Sequence, residues 1–168
     1  AQQMVGLAAT KNGIVYIRTS RPKTNLLYEN DSKFRVGGSH TLRSSNDDQA
    51  TLVSAGITLH EALQAAEILG EKGFSIRVID LYSVKPVDAE TLRQAATETG
   101  FVITIEDHYP EGGLGEAVLD ALANVNNRYH KIAVTHLPRS GPGDKLLRMF
   151  GLDAKSIANT VEELLSSP

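Results

Sequence analysis

From Ala50 onward, short apolar runs of strand length alternate with amphipathic runs of helix length. No other feature of the chain restricts its fold as much. Residues 51–55 (TLVSA), 75–82 (SIRVIDLY), 101–106 (FVITIE) and 130–137 (HKIAVTHL) read as strands. Between the first two, residues 59–72 place Leu59, Ala62, Leu63, Ala66 and Leu69 on one helical face. Residues 89–99, 114–125, 145–150 and 154–165 read as further helices. Thr58, with Glu61 three residues later, has the spacing of a capping box. Asp88, after Pro86, suits the N-cap of the next helix, and Gly73 and Gly100 suit helix ends. Strands that alternate with helices predict an α/β fold: three layers, with a mostly parallel sheet and helices on both faces. Ligands of such sheets gather beyond the C-terminal strand ends.

The first 45 residues lack this rhythm. Residues 14–18 (IVYIR) read as a short strand, followed by a turn-prone stretch, 19–25, that contains Pro22. Residues 26–28 and 41–43 are candidates for short strands. The polar run 43–49 (RSSNDDQ) marks the expected boundary, with residues 1–45 as one unit and 46–168 as the α/β domain. The opening AQQMVGLAAT has neither the basic leader nor the long apolar centre of a signal peptide. It reads as the last turns of a helix from a longer chain.

Composition removes several classes of function. With no cysteine in 168 residues, disulfides, thiolate metal sites and cysteine nucleophiles are all absent. A net charge of −3 gives no general attraction to nucleic acid or anionic membranes. The lack of Trp argues against a stacking platform for single strands. No apolar run approaches the roughly 20 residues of a membrane span. A cytoplasmic protein fits all of this.

Four local patterns carry chemistry. Gly112, Gly113 and Gly115 follow a strand and open a helix, where glycines can let backbone N–H groups cradle a phosphate. The spacing is not GxGxxG, and Glu111 and Glu116 repel anions, so a tight βα turn is the leading reading. Glu106, Asp107 and His108 bring acid and imidazole together, but neighbouring strand residues face opposite ways. A hydrogen-bonded or interface cluster is expected there. The histidines His40, His60, His108, His130 and His136 form no recognisable nucleophile setting. Arg139, Ser140 and Lys145 read either as an anion site or as a surface arm with Pro- and Gly-fixed turns. Arg18, Thr19, Ser20 and Arg21 follow the first expected strand. From residue type alone they read equally as an anion site or a surface salt-bridge cluster.

A resemblance separates these readings. The runs DDQATLVSAGITLHEAL, VIDLYSVKPVD, ITIEDHYPEGGLGEAV and HLPRSGPGDKLLRMFGLD resemble the transketolase C-terminal domain in order and interval. Upstream, GIVYIRTSRP looks like the last strand and loop of that family's pyrimidine-binding domain. VKPVD and EGGLG are shared with 2-oxo acid dehydrogenase β subunits and deoxyxylulose-phosphate synthase, whereas LPRSG…LLRMFGLD and IRTSRP favour transketolase. The resemblance implies two-carbon ketol transfer between ketose and aldose phosphates, as in the pentose phosphate pathway. It implies thiamine diphosphate, a divalent cation (Mg or Ca) and an active site between the subunits of a homodimer. It also implies that Arg21, in the SR segment, contacts the sugar phosphate. The cofactor-activating glutamate and the metal-binding motif are not matched here, so the resemblance implies no catalytic, cofactor or metal residue in this chain. A fragment inactive by itself is expected, working with the remaining transketolase domains. The competing expectation is a free-standing anion-binding or regulatory α/β domain, or the end of a 2-oxo acid dehydrogenase β subunit.

Overall fold

The computed structural model describes residues 1–20 and 23–167. Its elements are α1 (Gln2–Ala9), β1 (His40–Arg43), β2 (Ala50–Ser54), α2 (Ile57–Glu71), β3 (Ile76–Asp80), α3 (Ala89–Thr99), β4 (Phe101–Ile105), α4 (Leu114–Ala121), β5 (Arg128–Ile132), α5 (Gly143–Met149) and α6 (Ala154–Ser166). One sheet runs in the order β1-β3-β2-β4-β5. β3, β2, β4 and β5 pair in parallel, and β1 lies antiparallel on the edge against β3. The expected α/β class and mostly parallel sheet are therefore present.

Every residue of β2 and β4 is buried, as central strands covered on both faces should be. One apolar cluster joins Leu52, Val78 and Ile103 to Leu59, Ala62 and Leu69 of α2 and to Ile157 and Val161 of α6. On the opposite face Val53, Ile79 and Val102 meet Leu92 of α3 and Val118 of α4. The strand pleat produces this division, since successive side chains leave a strand on opposite faces.

Asp88 caps α3 as expected, its carboxylate accepting from the Thr91 N–H. Gly100 ends the helix at φ 66°, a left-handed conformation that glycine adopts without Cβ strain, and delivers the chain into β4. The capping box expected at Thr58 and Glu61 does not form. α2 begins at Gly56 and Ile57, and the buried Thr58 hydroxyl bonds instead to the Ala55 and Ile105 carbonyls. Glu61 is used elsewhere: its Oε2 accepts from the Ala154 N–H at 2.8 Å and caps α6 from 93 residues away.

Residues 14–18 and 26–28 are not strands. A strand needs a partner for its backbone hydrogen bonds, and among the described residues these segments find none. Ile14, Tyr16 and Leu26 are almost fully exposed. Residues 41–43 do form a strand, within β1. Since β1 pairs with β3, the sheet draws in residues on both sides of the polar stretch 43–49.

Candidate functional site at the C-terminal edge of the sheet

In the parallel part of the sheet, Ser54 at the end of β2 stands level with Asp80 of β3 and Ile105 of β4. β2 departs through α2 towards β3, and β4 departs through α4 towards β5. The strand order therefore switches direction beside β2, at the edge where α/β sheets bind ligands.

The chain past β4 stays in the sheet for three more residues. The Glu106 N–H donates to the Ile132 carbonyl, and the Val134 N–H donates to the His108 carbonyl. On this stiff extension the three polar side chains separate. Glu106 turns inward and is 2% exposed. Its Oε2 lies 2.9 Å from His108 Nε2, a close contact without hydrogen-bond alignment. Asp107 points the other way, to Arg18. Arg18 Nη1 and Nη2 donate to its two carboxylate oxygens at 2.7 and 2.9 Å. That carboxylate raises the Arg18 pKa further above its ordinary value. The expected cluster thus resolves into an internal pair and an outward clasp, in line with the pleat.

The glycine turn is occupied by the protein itself. A Cβ on Gly113 would stand 1.9 Å from His108 Nε2 and 2.7 Å from Glu106 Oε2. A Cβ on Gly115 would stand 2.3 Å from Glu106 Oε1 and 2.6 Å from the Tyr129 hydroxyl. The Glu106 carboxyl group therefore lies against the first turn of α4. β5 braces the turn from beneath: Tyr129 donates to the Gly115 carbonyl, and Lys131 donates to that of Pro110. Burial raises the Tyr129 hydroxyl to about 12, and it also shares a hydrogen bond with Thr104. The turn is architecture, as its spacing suggested.

Along the other side of β2, residues 28–40 are held to β3. The Tyr28 hydroxyl donates to Asp80, and Phe34 packs edge-on against Tyr28, His40 and Tyr82 at centroid distances of 4.9–5.0 Å. Burial raises the Asp80 carboxyl above its ordinary range, against the opposing effects of the Tyr28 hydroxyl and the nearby His40. Burial likewise raises the Tyr28 hydroxyl, with the Asp80 carboxylate adding to it. A little further on, the buried Asp88 carboxylate accepts from the Ser39 N–H and hydroxyl and from Arg35. Two tethers therefore hold residues 18 and 28 to the sheet. One is Arg18–Asp107 on the β4 extension; the other is Tyr28–Asp80 on β3. Neither was visible in sequence, because the partners lie 89 and 52 residues apart.

Arg21, the expected phosphate ligand, lies outside the described residues, as does Pro22. Arg139, Ser140 and Lys145 are exposed around α5, well along the chain from this edge. His136 is exposed, and burial lowers the pKa of His130 on β5. Among the described residues no helix is long and apolar enough to cross a membrane.

The family model for the transketolase C-terminal domain matches residues 39–157. Transketolase-like protein 1 of Bos taurus is 49% identical over 166 residues, covering 98% of this chain and 28% of that protein. Transketolase of Homo sapiens is 44% identical over 171 residues, with 98% and 27% covered. A solved structure described as a split-gene transketolase, inactive β4 tetramer, superposes with a TM-score of 0.91 at 34% identity. It covers 98% of this chain and 54% of its own. The chain spans little more than a quarter of the length of the two curated relatives. The likeness covers 98% of the chain and so extends upstream of residue 39. With its fold, its glycine turn and its match over residues 39–157, the chain belongs to the transketolase C-terminal domain family.

Proposed function

We propose that this chain is the C-terminal part of a transketolase, completing an active site whose reactive groups lie on other transketolase portions. The observation that carries this reading is the 49% identity over 98% of the chain, which includes the RTSR segment upstream of the matched domain. The relatives reported above are transketolases and transketolase-like proteins, which favours ketol transfer over 2-oxo acid dehydrogenation.

Among the described residues no group of three His, Asp or Glu side chains could hold a metal ion. The glycine turn, the other place for a diphosphate, is filled by Glu106. The described residues therefore do not fit thiamine diphosphate and its cation. The contribution proposed for this chain is binding. Arg21, with the anion-favouring RTSR sequence around it, grips the phosphate of the sugar. A guanidinium suits this task because it forms paired, charge-assisted hydrogen bonds to phosphate oxygens.

The chain alone is expected to give no ketol transfer from a ketose phosphate to an aldose phosphate and no thiamine diphosphate binding in calorimetry. The split-gene relative, described as an inactive β4 tetramer, supports that expectation. Supplying the remaining transketolase portion should produce turnover that depends on the cofactor. Cofactor binding by the chain alone, or no turnover after complementation, would sink the proposal.

In the complemented enzyme, Arg21→Ala is expected to raise KM for phosphorylated sugars about ten- to a hundredfold. That corresponds to charge-assisted hydrogen bonds of roughly 1.5–3 kcal/mol. An unchanged KM would remove Arg21 from the site.

A further inference from the structure

Residues 14–17 (IVYI) are an apolar run of strand type, two isoleucines, a valine and a tyrosine in succession. Ile14 and Tyr16 are almost fully exposed, and Val15 and Ile17 are more than a third exposed. Among the described residues, no backbone hydrogen bond reaches residues 12–17. The run is nevertheless held at both ends. The Lys11 N–H donates to the Ala8 carbonyl at the end of α1, and Arg18 is clasped by Asp107. Chain presented in this way, with its N–H and C=O groups open, is a template for pairing with another strand. The outer strands of the sheet are guarded against such pairing. β1 has four residues and a shift of register between Thr41 and Arg43, and β5 carries Arg128, His130 and Lys131. Residues 12–17 carry no charge at all.

The charges on either side fit a second copy of the same run. Lys11 and Arg18 flank it. In a parallel pair of copies each cation would stand beside its own twin, whereas an antiparallel pair sends them to opposite ends. Two-fold symmetry lets one residue face itself. With Val15 on the axis, Ile14 faces the second copy's Tyr16, and Arg18 faces an uncharged Asn12. The two most exposed side chains then form an aromatic–β-branched pair, a favourable cross-strand couple. The Arg18 charge is already matched within its own chain by Asp107, so bringing two copies together adds little repulsion.

We propose that residues 14–17 are a self-association surface, through which two copies of this chain pair as antiparallel strands about Val15. This surface is independent of any role of Arg21. Four side chains and their backbone supply on the order of 400 Å² per copy, about half of the ~800 Å² per partner in a standard interface. The dimer is accordingly weak, with a Kd of about 10–100 µM, and dilute solutions hold mainly the single chain.

Sedimentation of the 168-residue chain from about 5 to about 500 µM should show its mean mass rise towards twice the monomer mass. Ile14 and Tyr16 belong to neither apolar cluster. Ile14→Lys and Tyr16→Lys should therefore leave Tm of the dilute chain unchanged, yet each should weaken dimerisation at least tenfold. Val15→Cys tests the register in a chain with no cysteine of its own. Mild oxidation should link it into a covalent dimer. Ile17→Cys, displaced from its twin by roughly 13 Å along the strand in this register, should not link.

A chain that stays monomeric over the whole range overturns the proposal. So does a dimer that survives both lysine variants, since its contact then lies elsewhere. Equal linking of Ile17→Cys and Val15→Cys overturns the pairing about Val15. If the chain alone stays monomeric while the remaining transketolase portion protects residues 14–17 from hydrogen exchange, the segment belongs to that portion and not to a second copy.

Discussion

Gly115→Ala is expected to destabilise the chain by about 2 kcal/mol, although alanine is the better helix former by up to about 1 kcal/mol. The added methyl would stand 2.3 Å from Glu106 Oε1, 2.6 Å from the Tyr129 hydroxyl and 2.7 Å from Lys131 Cε. These atoms come from two neighbouring strands: Glu106 lies just past β4, and Tyr129 and Lys131 lie on β5. Glu106 is 2% exposed and has nowhere to retreat. Tyr129 and Lys131 are both occupied in bracing the turn. Something must shift, and overpacking of this kind typically costs 1–3 kcal/mol beyond any local gain. For a chain of this size the loss should appear as a fall in Tm of roughly 4–8 °C. Thermal and urea unfolding of the 168-residue chain would measure it. The loss should shrink when Glu106→Ala is also present. A Tm at or above that of the parent would mean that the turn yields and that Glu106 is not locked against α4.

Asp88→Ala is expected to cost about 2–4 kcal/mol at neutral pH. The carboxylate is 4% exposed and serves two elements at once. It caps α3 through Thr91, a contribution of about 1 kcal/mol. It also accepts from the N–H and hydroxyl of the half-buried Ser39 and from the exposed Arg35, contacts that are lost together. Burial pushes the Asp88 carboxyl up, but the Thr91, Ser39 and Arg35 contacts outweigh it and hold it below its ordinary value. The sign follows from that depression. Asp88 contributes its full stability above the unfolded carboxyl pKa of about 3.9 and loses it as pH falls through the lower folded value. The gap in unfolding free energy between parent and variant should therefore be constant near pH 7 and narrow below about pH 4. A gap of under 1 kcal/mol, or one that ignores pH, would overturn the role given to this carboxylate.

The domain itself was legible because its signals are local. Each of β2 to β4 and each helix from α2 onward is marked by its own apolar period and its own punctuation, such as Asp88 and Gly100, whereas β5 (Arg128–Ile132) starts and stops earlier than the expected strand 130–137. Where a residue's partner was distant, the sequence reading failed. Glu61 has the spacing of a local cap, yet it serves Ala154. Nothing around Glu61 distinguishes the two uses. The strand expected at 14–18 has suitable residues, but strand structure belongs to a pair, and no described segment supplies the second member. At the site, the pleat rule correctly separated Glu106 from Asp107 but could not say that Asp107 would face Arg18. That pairing depends on how the sheet brings residues 89 apart to one edge. The role of the glycine turn was readable from its poor phosphate spacing. The Cβ distances at Gly113 and Gly115 add the reason for the glycines, which is room for the domain's own carboxylate and imidazole.

The cap that Glu61 places on α6 also bears on the order in which the protein can be made. α6 covers the same apolar face as α2, through Ile157 and Val161. Ribosomes add roughly 5–20 residues per second, so residues 154–166 emerge several seconds after α2. During that interval Leu52, Val78 and Ile103 lack the cover that α6 provides, and Glu61 waits for an N–H not yet synthesised. The nascent domain is therefore at its most adhesive just before α6 appears. A chain terminated before Ala154 would carry that exposed face permanently, a form that chaperones bind and proteases remove.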